Sequence, residues 1–109
     1  MTNQRTVHTP LIQVVIKKKP LRHVVLNRAA QGERYVNFIL PTLTDPSEIW
    51  LTKYSDGFRY QFFKFFKGKR HMLVIVKKNA TSNLFWNAIA AKARYIDHKR
   101  VGILLYKNY

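Results

Sequence analysis

Between Ile49 and Lys77 the chain repeats with a period of two, and this constrains the fold more than any other feature. Ile49, Leu51 and Lys53 fall on one side and Trp50, Thr52 and Tyr54 on the other, which is strand spacing. Asp56 and Gly57 then supply hairpin-turn chemistry. A second strand, Phe58 to Phe66, leads through Lys67, Gly68, Lys69 and Arg70 into a third, Met72 to Lys77. That third strand is apolar on both faces, so it belongs in the middle of a sheet.

On the N-terminal side the pattern differs. Leu11 to Ile16 is β-branched and apolar, and Lys17, Lys18 and Lys19 end that element. Pro20 suits a first helical position, and Leu21, Val24 and Val25 recur at helical spacing before Gly32, which predicts a short helix from Pro20 to Ala30. Val36, Ile39, Leu40 and Leu43 predict a second amphipathic helix that Pro41 kinks or ends. Asp45, Pro46, Ser47 and Glu48 then read as a turn with capping-box spacing. After Asn79 two readings compete. Ala88, Ala90, Ala91 and Ala93 favour helix by propensity, whereas Leu84, Phe85, Trp86 and Ile89 suit a buried strand. Val101 to Tyr106 closes the chain as a strand. Helices followed by an antiparallel sheet make an α+β plan of one domain over residues 1–109, with residues 1–19 as a loose N-terminal segment.

Charge narrows the partners. The chain has 20 Lys and Arg against 5 Asp and Glu, a formal net charge of +15 on 109 residues. Self-repulsion of that size opposes the compact state unless a polyanion neutralises it. The cations alternate with apolar and aromatic residues instead of forming a tail, so they belong to a folded basic surface, and nucleic acid is the first partner to consider. There is no cysteine, which excludes disulfides and thiolate metal sites. The longest apolar run, around His71 to Val76, is far short of the roughly 20 residues that span a bilayer. The first ten residues contain Arg5, His8 and Pro10 and no apolar signal core.

Two stretches carry a resemblance. Asp45 to Trp50 (DPSEIW), followed by the Asp-Gly hairpin, the aromatic-basic strand and the apolar strand, and Tyr95 to Tyr106 (YIDHKRVGILLY) resemble the phage-associated nucleases of the barnase, EndoU, colicin tRNase and RelE superfamily. The likeness runs from about Pro20 to Tyr106. It implies N-terminal helices packed on a four- or five-stranded antiparallel sheet, whose open face holds a metal-independent ribonuclease site. It also implies that Leu84 to Ile89 is a strand and that the helix is Lys92 to His98, against bare propensity.

The residue chemistry agrees with a metal-free mechanism. RNA cleavage needs a base for the 2′-hydroxyl, an acid for the departing 5′-oxygen, and cations on the phosphorane. Histidine titrates near neutrality, and Arg and Lys stabilise phosphate charge. Metal catalysis would need clustered carboxylates, and of the five acids only Glu33 and Asp97 fall outside turns. His23, on the polar face of the first helix with Asn27, is the first catalytic candidate, because the resembling family presents a histidine there; a half-buried structural histidine is the competing reading. His71 reads as a strand cap, and His8 and His98 rank below His23.

On the second strand Arg59 shares a side with Gln61, while Lys64 shares the other with Phe58, Tyr60 and Phe62. Both cations are catalytic candidates, beside the plainer reading of Phe62, Phe63, Phe65 and Phe66 as core and Lys64 as a solvated edge. The same interleaving suits a stacking platform for unpaired bases. The family places Thr or Ser on the penultimate strand, where this chain has Asn87; an amide orients a phosphate but is no nucleophile. Thr81 and Ser82 are the fallback. Arg28, Lys99, Arg100 and Tyr106 complete the expected substrate contacts.

The expected activity is therefore a small ribonuclease toxin that cuts tRNA or another structured RNA without a cofactor. Its expected protein partner is an acidic immunity or antitoxin protein. It would act in the bacterial cytoplasm after delivery within a larger secreted or phage-borne protein. The alternatives are a non-catalytic RNA- or DNA-binding module, phage-associated, and a ribosomal protein whose basic surface follows rRNA.

Overall fold

A computed structural model describes residues 4–17, 38–66 and 71–109. Their elements, in chain order, are β1 (Gln4–His8), β2 (Gln13–Lys17), α1 (Leu40–Thr44), β3 (Glu48–Tyr54), β4 (Gly57–Lys64), β5 (His71–Lys78), β6 (Asn83–Ala91), α2 (Ala93–Lys99) and β7 (Ile103–Lys107). The predicted Pro20–Ala30 helix, with His23 and Arg28, lies outside the described residues.

The strands form one seven-stranded sheet in the order β1-β2-β6-β5-β4-β3-β7. The α+β class holds, but the sheet has seven strands where four or five were expected. The first surplus comes from the N-terminus. Residues 4–17, read above within a loose segment, form an antiparallel hairpin that extends the sheet past β6. Thr9 closes its turn: the hydroxyl donates to the Ile12 carbonyl at 2.6 Å and accepts from the Ile12 amide at 3.0 Å. Val14 and Ile16 bury one face of β2. The β2–β6 contact is parallel, so the sheet is mixed rather than purely antiparallel.

The apolar strand predicted to be central is β5, fourth of the seven. The hairpin at Asp56–Gly57 pairs Tyr54 with Gly57, and Gly57 takes φ +135°. The 84–89 segment is strand β6, and the helix that follows is α2, as the resemblance implied. Pairing with β5 along the whole of β6 outweighs the helix propensity of its alanines. Pro41 does not end a helix; it sits in the first turn of α1, where its missing N–H costs no hydrogen bond.

The sheet has a core on each face. Tyr60, Phe62, Met72, Val74, Val76 and Phe85 point toward α1, where Ile39 and Leu43 meet them. Phe63, Leu73 and Ile75 point the other way and are covered by Ile96 of α2. Burial of each such side chain contributes about 1.5–3 kcal/mol. Trp50, Phe65, Ile89 and Ala91 pack around this smaller core.

The turn after α2 is held close to β3. Gly102 has φ +107°, and a Cβ there would lie 2.2 Å from the Leu51 carbonyl oxygen. Gly102→Ala is therefore expected to cost more than the roughly 1–3 kcal/mol of an unfavourable φ alone. Gly57→Ala, with no atom within 4 Å of the added carbon, supplies the reference for φ strain by itself. Urea denaturation of the two variants checks this, and equal losses would refute the close approach.

Candidate nucleic-acid interface

The strand registers set three rows of side chains across the α2 face. Thr52, Arg59 and Lys77 form the outermost row. Trp50, Gln61, Ile75 and Asn87 form the next, and Glu48, Phe63, Leu73 and Ile89 the third. At the outer row the pairing of β5 with β6 slips, from Ile75 opposite Asn87 to Val76 opposite Phe85. Trp86 is the extra residue of this bulge. Phe85 stays in the α1-side core, while the ring of Trp86 joins the cations of the α2 face.

The result is a basic and aromatic cluster. The Arg59 guanidinium carbon lies 4.2 Å from the centroid of the Tyr54 ring and 5.4 Å from that of Trp86. Lys77 Nζ is 4.9 Å from the Trp86 centroid. Asp56 bridges the two cations, 3.1 Å from Arg59 and 3.6 Å from Lys77. The Arg59 side chain is only 14% exposed, and its Nε is buried with no hydrogen-bond partner among the described residues. Partial desolvation works against the Asp56 charge, but the Arg59 hydrogen bonds and the charges of Arg59 and Lys77 outweigh it and hold the carboxyl below its ordinary range.

A buried amide fixes the floor. Gln61 Nε2 donates to Thr52 Oγ1 at 2.6 Å and to the Lys99 carbonyl at 3.0 Å. Thr52 Oγ1 in turn donates to the Val101 carbonyl at 2.7 Å. These bonds clamp the C-terminal end of α2 to β3 and β4 and place Lys99 beside the cluster, its Nζ 5.4 Å from the centroid of the Tyr95 ring.

At the other end of the same face Glu48 is fully buried. Arg100 grips it with both edges of its fork, Nε to Oε1 at 2.7 Å and Nη2 to Oε2 at 2.6 Å. Trp50 Nε1 donates to Oε1 at 2.8 Å, and the Tyr109 hydroxyl donates to Oε2. Burial alone would raise the Glu48 carboxyl, yet these donors together hold it below the usual carboxylate range. Glu48 also pulls the Arg100 guanidinium and the Tyr109 hydroxyl upward. Phe65 lies against this group, with its ring centroid 5.4 Å from the Arg100 guanidinium and 5.3 Å from the His71 ring. His71 Nδ1 is buried without a hydrogen-bond partner among the described residues.

The candidates from sequence therefore separate. Arg59 and Asn87 lie in adjacent rows of the α2 face, and Lys99, at the end of α2, reaches it through its carbonyl on Gln61. Asn87 is exposed, and its Oδ1 accepts from the Ala88 amide at 2.8 Å. Arg100 is on that face too, but its guanidinium is directed to Glu48 and, through Nη1, to Asp97 at 3.2 Å. Lys64 points to the opposite face and donates to the Asp45 carbonyl and carboxylate at 2.6 and 3.1 Å. Tyr106 packs against the α1-side core. Trp86 was missed as a site residue because a slip in strand register has no period to read; Tyr54 and Lys77 keep the period, but which residues of β3, β4 and β5 stand side by side is set by the pairing between strands and not by any one strand. Glu48 was read as a turn residue and instead opens β3.

This is an α+β domain with one sheet face given to a basic and aromatic surface, the layout of a small nuclease-like domain. The chain belongs to the phage-Barnase-EndoU-ColicinE5/D-RelE like nuclease2 family, PBECR2, whose sequence model matches residues 2–107. No curated protein and no solved structure matches it. Among the described residues no helix is long and apolar enough to cross a membrane.

Proposed function

We propose that this domain is a ribonuclease of the toxin type, which cuts tRNA or another structured RNA by attack of a 2′-hydroxyl on the adjacent phosphate, on the α2 face around Arg59. The observation that carries the reading is the cluster of Arg59, Lys77 and Trp86 on one face of a nuclease-family sheet, with Asn87 in the next row of the same face. Arg59, shielded from water, supplies charge where the phosphorane becomes more negative. Asn87 orients the phosphate, and Lys99 takes a neighbouring one. His23 is assigned as the residue that moves the proton. Asp45, Glu48, Asp56 and Asp97 are each paired with a cation, which favours a route that does not use them as metal ligands. An acidic immunity protein laid over this face would silence it by neutralising the same cations.

The test is incubation of the wild type and His23→Ala with total bacterial RNA in excess EDTA, followed by end-group mapping on a denaturing gel. Discrete cuts ending in 2′,3′-cyclic phosphate and 5′-hydroxyl, lost in His23→Ala, are expected. RNA that is bound and shifted but uncut by a folded sample would overturn the enzymatic reading in favour of a binding module.

A further inference from the structure

Trp86 is 47% exposed, although it follows a residue that is 1% exposed in the core. The bulge is what brings it to the α2 face, since strict alternation with Asn87 would send it to the opposite one. The exposed indole, with two cations beside it, presents a flat π-face on which a base can stack. Next to it, Asp56 holds one carboxylate between Arg59 and Lys77 and is itself 49% exposed, so an incoming anion can reach the same two cations. Arg59 keeps an unpartnered Nε in this arrangement.

We propose that Trp86 stacks on an unpaired base of the RNA while Arg59 and Lys77 take the adjoining phosphate in place of the Asp56 carboxylate. The proposal rests on the reading of the α2 face as the substrate surface and adds the substrate class. A base within a duplex is already stacked and paired and cannot lie on an indole, so the site selects single strands, loops and bulges. Asp56 acts as an internal stand-in for phosphate, keeping the cation pair in position while the site is empty.

The probe is a single-stranded oligonucleotide with 2′-fluoro sugars, which binds but carries no 2′-hydroxyl to attack, compared with a blunt duplex of the same chemistry by fluorescence anisotropy. The single strand is expected to bind more tightly than the duplex. Trp86→Ala should weaken single-strand binding by roughly 5- to 150-fold, the worth of one stacked base, and leave duplex binding unchanged. Trp86→Phe should retain most of the affinity, which separates stacking from misfolding, and Asp56→Asn should tighten binding. Equal affinity for strand and duplex, or unchanged single-strand binding in Trp86→Ala, would overturn the proposal. Loss of binding on Trp86→Ala together with no cleavage of 2′-hydroxyl RNA by the wild type would leave the stacking site standing and sink the ribonuclease reading; cleavage with Trp86-independent binding would do the reverse.

Discussion

Replacing Arg59 with alanine is expected to slow RNA cleavage by about 10²- to 10³-fold, the loss typical of removing one preorganised group that meets developing charge. The magnitude follows from position. With its side chain only 14% exposed, Arg59 acts in a medium where charge is poorly screened, so its attraction for a phosphorane exceeds that of a surface lysine. The fold should survive, because the partner of Arg59 in its ion pair is the half-exposed Asp56, and pairs of that kind contribute little. Arg59→Lys should recover only part of the rate, since a single ammonium cannot present two donors in a plane. Lys53→Ala, an exposed cation on the opposite face of β3, should cleave like the wild type. The measurement is a single-turnover rate on a defined RNA, with thermal midpoints recorded for each variant. Wild-type cleavage by a folded Arg59→Ala would remove Arg59 from the proposed site.

The parts of this molecule that are legible in its sequence are those set by local period. Strands β3, β4 and β5 follow from alternation and from the turn at Asp56–Gly57, and the doubly apolar β5 is central as its pattern requires. β6 is different: its alanines speak for helix, and only the neighbouring β5 decides otherwise. β1 has a single buried residue, Val7, so its amphipathic signal is too weak to read, although its partner β2 holds two buried side chains. The site divides in the same way. Arg59 and Asn87 fall on one face by counting in twos and by family position. Trp86 does not, because the bulge breaks the count one residue before Asn87. Glu48 was hidden by the capping-box look of Asp45 to Glu48, and its true partner, Arg100, is 52 positions away.

That distant pair yields the largest expected effect on stability. Arg100→Ala strands the Glu48 carboxylate, which has no exposure of its own, with only Trp50 and Tyr109 as donors among the described residues. The expected cost near neutral pH is about 3–5 kcal/mol, the range for breaking a buried pair from one side. Glu48→Gln should cost less, roughly 1–3 kcal/mol, because the orphan is then Arg100, which is 31% exposed and still pairs with Asp97. The two variants also differ in pH dependence. In the wild type the Glu48 carboxyl is held below its ordinary value, so its contribution is present above about pH 4.3 and is lost as the pH falls through the lower folded value. Glu48→Gln removes that acid-sensitive component. In Arg100→Ala burial is opposed only by the Tyr109 and Trp50 hydrogen bonds, so the carboxyl sits higher than in the wild type and takes up its proton at a higher pH. Its deficit against the wild type should therefore be greatest near neutrality and shrink toward acid. Urea unfolding of the three proteins near neutral pH and near pH 4 measures both quantities. If Arg100→Ala proves no more harmful than Glu48→Gln, or its deficit does not shrink in acid, Glu48 is not the buried charge that organises this end of the sheet.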